Sequence, residues 1–212
     1  MLTLRSKIGA YHHGDLRAAS ITAARMFVTE RGIHALSMRK LADALGVTAA
    51  ALYRHFDGMA ALQAAVAEQF REELGEHMLA ARESVPTTND PHHDAAYRFR
   101  ALGDSYIEFA YRNSRLFETA FLFRDHQSTS EQGLAYRLLL DSLVELAELG
   151  MLAPNGQEEA CLLAWSSVHG FATLVAQQAF GRDEYHERKR LVLDGVGRAI
   201  TGTVIGNESL ST

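Results

Sequence analysis

Two hydroxyl residues, Ser37 and Thr48, each stand directly ahead of a short helical run, and Gly46–Val47 separates the runs. A Ser or Thr so placed accepts from the first free N–H groups of its helix, and that same helix end attracts an anion such as phosphate. Near the end of the second run, Tyr53 and His55 add groups that reach a phosphate oxygen, while Arg39, Lys40 and Arg54 add charge. Contacts to phosphate position a duplex but do not read it. Base reading falls to Arg39, Thr48, Ala49, Ala50 and Arg54, because an arginine forks onto guanine and a small methyl meets the thymine methyl. The partner this specifies is double-stranded DNA. With few polar readers, DNA shape and backbone geometry carry much of the specificity.

Such groups must be held by two helices braced at a fixed angle. The segment SMRKLADALGVTAAALYRHF, Ser37 to Phe56, has that design. Leu41, Ala42 and Leu45 make the inner face of the first helix, Gly46 allows the left-handed backbone of a tight turn, and Val47 plugs the corner. Leu52 and Phe56 return to the core one helical turn apart, and Ala49, Ala50 and Ala51 let the helix lie close to a duplex. This is the pattern of a helix-turn-helix. The plainer reading is a tight helical corner inside an enzyme, with Ser37 and Thr48 as caps and Tyr53 as a packed aromatic.

The charge distribution agrees with a nucleic-acid partner although the net charge of −5 does not. Residues 1–60 carry a net +4 and the remainder −9. A basic head on an acidic body suits a small DNA-contacting module on a repelled, soluble remainder. The single cysteine, Cys161, excludes an intramolecular disulfide and fits the cytoplasm; flanked by Leu162 and Leu163, it reads as a small core residue. There is neither a secretory h-region nor a run of 18 apolar residues, so no membrane is expected.

With only three prolines and recurrent helical spacing, the 212 residues predict an all-α fold of about nine helices. Asp15 caps a helix to Arg31, stopped by Gly32; Ser37 and Thr48 cap the next two, to Leu45 and His55. A fourth runs from Met59 to Arg82, followed by the break SVPTTNDP. Helices are then expected over 92–112, 114–124, 130–149, 157–180 and 183–204, with a polar loop at 125–130, a turn at Pro154–Gly156 and a frayed tail from Gly206. Two domains follow: residues 11–60 bind DNA and residues 61–205 form a helical regulatory domain.

The run from Tyr11 to Val66 resembles the N-terminal domain of the TetR family of one-component regulators. The resemblance rests on Arg31–Gly32, Leu41–Ala42, Gly46–Val47–Thr48 and Leu52–Tyr53–Arg54–His55–Phe56. It implies phosphate and groove contacts at Ser37, Thr48, Tyr53 and His55. One departure is that Met59 stands where members usually carry a lysine that meets a phosphate. The C-terminal half resembles, more weakly, a branch of that family with a Trp-x-x-x-His-Gly signature, here Trp165 to Gly170, and Tyr111 to Phe121 is similar to a second stretch of the branch. That branch implies a ligand-responsive homodimer.

Read from its own residues, the C-terminal half offers Tyr106, Phe109, Phe117, Phe121, Trp165 and His169 as the lining of an apolar cavity for an unidentified small-molecule effector. The alternative is that these aromatics fill a core and that His169 is a satisfied structural histidine beside Gly170, where another helix comes close. The last two helices suit dimerisation through Val175, Ala176, Ala179, Leu191, Val192, Val196, Ala199 and Ile200. Glycines at 195, 197 and 202 would be compensated by close helix contact. No zinc-protease, paired-cysteine, phosphate-loop or serine-hydrolase motif is present, so neither a catalytic site, a metal nor a cofactor is expected. His92–His93–Asp94 reads as an exposed helix start, and His12–His13 likewise carries no metal. The leading expectation is a ligand-responsive homodimeric repressor on a near-palindromic operator. The rival is a helical small-molecule-binding protein or enzyme with a vestigial DNA-binding head.

Overall fold

The computed structural model describes residues 15–122, 133–152 and 156–202. Arg5, Lys7, His12–His13, Phe123, the loop 125–130, most of the Pro154–Gly156 turn and the tail from Gly206 lie outside the described residues. Among the described residues there are nine α-helices, one 3-10 turn and no strand. Contacts group the chain into two compact units, residues 1–71 with 115–128, and 72–114 with 129–212. This grouping by contact divides the chain inside a helix, between residues 71 and 72, and a segment from the middle of the chain joins the first unit.

In the first unit, α1 (Leu16–Arg31) starts where Asp15 accepts from the N–H of Ala18 at 3.0 Å. It ends at Gly32, whose φ of +76° is open to glycine and whose N–H returns to Val28 O at 2.8 Å. After the 3-10 turn Ile33–Ala35 come α2 (Met38–Leu45), α3 (Ala49–Tyr53) and the first half of α4 (Met59–Glu83). The last member is α6 (Ser114–Leu122). Arg115 of α6 donates to the carbonyls of Thr29, at 3.1 Å, and Glu30, where the negative end of the α1 dipole favours a cation. Arg71 donates to Ala120 O at 2.7 Å, and Phe117 meets Phe70 edge-on at 6.3 Å.

The second unit contains the rest of α4 with α5 (Pro91–Arg112), α7 (Leu134–Glu148), α8 (Gln157–Ala176) and α9 (Arg182–Thr201). Asp90 caps α5 by accepting from the N–H groups of His92 and His93, and Pro91 takes the first helical position. Asp94, buried, accepts from Thr88 N–H at 2.8 Å and its hydroxyl at 2.7 Å, which holds this carboxyl below its ordinary range. Ala95, Phe99, Leu139, Leu143, Leu146, Ala160, Ala164, Val196 and Ile200 form the core, with Cys161 among them as expected from its neighbours. By length and composition α8 matches a membrane span, yet one side of it builds this core.

Several expectations are corrected here. α8 ends at Ala176 rather than Phe180, because Gln178 turns left-handed (φ 57°) and the N–H of Ala179 returns to Leu174 O. The close contact expected at Gly170 and Gly195 is not found among the described residues, where a Cβ at either would meet nothing within 4 Å. Gly202 is a left-handed C-cap. Close approach occurs instead at Gly75, where a Cβ would lie 2.7 Å from Leu134 Cβ, and at Gly103, where it would lie 2.8 Å from Leu193 Cδ2.

Candidate functional site

The helix-turn-helix is assembled from local bonds. Ser37 Oγ accepts from Lys40 N–H at 3.3 Å and Thr48 Oγ1 from Ala51 N–H at 3.2 Å. Between them Gly46 is left-handed (φ 71°), and the N–H of Val47 closes the α2 end on Ala42 O at 3.1 Å. Leu41 and Leu52 are wholly buried, and Phe56 and Ala51 nearly so. These anchors turn the opposite face of α3 to solvent. Thr48, Ala50, Arg54 and His55 are exposed, and Tyr53 keeps 55% of its surface. A packed aromatic would not, so the plainer reading of Tyr53 fails. Ser37 and Ala49 are half-buried and Arg39 is exposed.

Lys40 departs from a simple charge donor. Its ammonium donates to Ala35 O at 3.0 Å, which ties α2 to the preceding turn. Arg17, missing from the sequence reading, brings its guanidinium to 5.6 Å from the Phe56 ring centroid. Its sequence signal is slight: one cation in the first turn of α1. Met59 is half-buried at the first position of α4.

In the second unit Tyr106, Trp165 and His169 do meet, on the wall of a cavity shared with Phe99, Leu139 and Leu193. The Tyr106 hydroxyl lies 2.7 Å from His169 Nδ1. The Trp165 and His169 rings are nearly parallel, 12° apart at 5.8 Å, and Tyr106 stands edge-on to Trp165 at 6.1 Å. Tyr136 also meets Trp165 edge-on, at 5.5 Å. Arg100 also lines the cavity, with a guanidinium nitrogen 2.6 Å from the buried Asp194 carboxylate.

The remaining aromatics expected there lie elsewhere. Phe109 packs on His77 at 5.2 Å, while Phe117 and Phe121 pack on each other at 4.7 Å in the first unit. Helical spacing shows that a residue points inward, but not which neighbour it will meet.

Sequence reasoning also missed a polar lock around Tyr185. This residue is buried, stacks on Tyr111 at 4.1 Å and donates to Glu108 Oε2 at 2.8 Å. Burial and the adjacent Glu108 carboxylate push its phenol far above the ordinary range.

On the outer surface, Val175, Ala176, Val196 and Ile200 are buried within the subunit, and Val192 packs on its core. They cannot form the seam expected of them. The exposed apolar residues are Leu162, Leu163, Gly170 and Leu174 on α8, and Leu191 and Ala199 on α9. Ala179, beyond the end of α8, is exposed as well.

Comparison with known proteins matches both halves. Residues 21–66 fit the family described as bacterial regulatory proteins, tetR family, and residues 99–193 fit the tetracyclin repressor-like C-terminal domain. An uncharacterised HTH-type transcriptional regulator of Bacillus subtilis (strain 168), YobS, is 26% identical over 170 residues, covering 77% of this chain and 81% of that protein. A solved protein of unknown function from Rhodococcus sp. RHA1 superposes with a TM-score of 0.71 at 25% identity, over 91% of this chain and 98% of its own. RolR in complex with resorcinol shares the fold, with a TM-score of 0.61 at 16% identity over 100% and 99% of the two chains. An exposed helix-turn-helix, a separate helical unit enclosing a cavity, and these two matches lead to one conclusion: the chain belongs to the TetR family of transcriptional regulators.

Proposed function

We propose that the protein is a ligand-responsive homodimeric repressor that grips a near-palindromic operator, with residues 11–60 as the DNA-binding domain and 61–205 as the regulatory and dimerisation domain. The observation that carries this reading is the division of α3, with Leu52 wholly buried while Thr48, Ala50 and Tyr53 face solvent. Ser37, Thr48, Tyr53 and His55 take phosphates, and Arg39, Ala49, Ala50 and Arg54 meet base edges. Lys40 contributes charge while holding α2. The C-terminal match spans Trp165 to Gly170, which supports membership of the Trp-x-x-x-His-Gly branch. Regulators of this family are in general DNA-binding proteins without enzymatic activity, and this chain is read in the same way, acting in the cytoplasm. RolR, a protein of the same fold, was solved with a small molecule, which supports an effector in the cavity beside Trp165. Such an effector lowers DNA affinity only by its preference for one of two conformations.

The test is a mobility shift on the DNA flanking the protein's own gene, followed by footprinting. Two-fold-symmetric, salt-sensitive protection is expected, weakened by Thr48→Ala and by Tyr53→Phe. No retardation on any such fragment at low salt overturns the reading.

A further inference from the structure

The chemistry of the cavity wall narrows what the effector can be. The space within is ≈ 50 Å³, room for about four water molecules. A space this small favours a compact ligand over a long acyl chain or a polycycle. Trp165 and His169 stack on each other, and with Tyr106 and Phe99 they make the wall largely aromatic, which favours a flat aromatic partner. The polar feature on that wall is the Tyr106–His169 hydrogen bond. The charged residue on the wall, Arg100, is already engaged by Asp194 at 2.6 Å. An incoming carboxylate would have to draw Arg100 away from a buried acid, and burying an anion without a matched cation is costly.

We propose that the cavity binds an uncharged, single-ring aromatic compound bearing a hydroxyl, a phenol, with its ring against Trp165 and its hydroxyl bonded to the Tyr106–His169 pair. This rests on the regulatory reading above for its consequence, since the phenol would be the effector. Gly103 packs closely on the same wall. A Cβ at this position would meet Leu193 at 2.8 Å and Val168 at 3.5 Å, and both residues line the cavity.

Trp165 is the protein's single tryptophan and stands in the wall, so its fluorescence reports occupancy directly. The full chain is titrated with phenol, benzene, benzoate and decanoate. A saturable change with phenol is expected, with benzoate and decanoate weaker by on the order of tenfold or more. Benzene should be weaker by about three- to tenfold, the worth of one hydrogen bond. His169→Phe should bring phenol down to the affinity of benzene, and Gly103→Val should abolish both, each variant checked for an unchanged helical melting transition. Benzoate or decanoate binding as tightly as phenol overturns the proposal. So does a phenol signal that does not saturate or that survives Gly103→Val. The readout needs no DNA, so its failure leaves operator binding standing, and a failure of operator binding leaves the phenol affinity measurable.

Discussion

The hydroxyl of Tyr106 lies 2.7 Å from Nδ1 of His169, joining α5 to α8 at the cavity wall. Tyr106 keeps only 3% of its surface, so its side chain is fixed within the unit. Tyr106→Phe removes one partner without changing the ring. We expect a loss of about 1–2 kcal/mol in urea unfolding, with an unchanged m-value.

Arg100 and Asp194 form an ion pair with side chains 12% and 9% exposed. Removing Arg100 leaves Asp194 with the more exposed Arg190 at 3.1 Å as its remaining cation, so Arg100→Met is expected to cost about 1–3 kcal/mol. Arg100→Met combined with Asp194→Leu should recover most of that loss. Arg188→Met, which breaks the exposed pair with Glu184 at 2.8 Å, should be near neutral. Denaturant midpoints of the three variants check the order.

Glu145 receives Arg98 at 2.5 Å and Arg82 at 3.2 Å. Burial alone would raise its carboxyl, but these two hydrogen bonds overrule it and hold it below the ordinary 4.5. A carboxyl lowered in the folded state contributes stability that is present above about pH 4.5 and is lost as pH falls through its folded value. Glu145→Gln should therefore destabilise the protein near neutrality and flatten the acid limb of stability against pH. An acid limb of unchanged steepness would remove Glu145 from that account.

Met59 occupies the first position of α4, where the resemblance to the family leads one to expect a phosphate-contacting lysine. Met59→Lys should tighten operator binding and steepen the dependence of log K on log salt by about 0.9 per phosphate gained. Anisotropy titrations across a salt series measure both, and an unaltered slope would mean that this position does not reach the backbone.

Leu174 and Leu191 keep 44% and 51% of their surface on α8 and α9. If the homodimer forms through these helices, Leu174→Arg and Leu191→Glu convert it to a folded monomer in sedimentation equilibrium, with helical content intact. Val196→Ala instead opens the core and lowers the melting temperature, because Val196 is 7% exposed within one subunit.

Much of the DNA-binding head was legible in residue types. Asp15, Ser37 and Thr48 cap the helices that follow them, and Gly46 takes the left-handed turn between two of them. Asp90 and Pro91, read in the sequence as the end of a break, are instead the cap and first residue of α5. Caps and turns are bonds between residues a few positions apart, so their information is local. The exposed face of α3 follows from the same logic, since burial of Leu52 and Phe56 dictates where Thr48, Ala50 and Tyr53 point.

Partner choice over long sequence separations was not legible. Tyr106, Trp165 and His169 share a cavity, but Phe117 and Phe121 belong to the other unit, drawn there by Arg115 on the end of α1. Val175, Val196 and Ile200 look like a dimer seam in sequence and are interior in the structure, while Leu162, Leu163, Leu174 and Leu191 are left outside. Helical periodicity is the same whether an apolar side chain meets its own core, a ligand or a second subunit. What the sequence determined by itself is therefore the set of helices and the chemistry of the reading head. Only the tertiary structure decided which apolar faces meet, because packing depends on shape complementarity among elements distant along the chain.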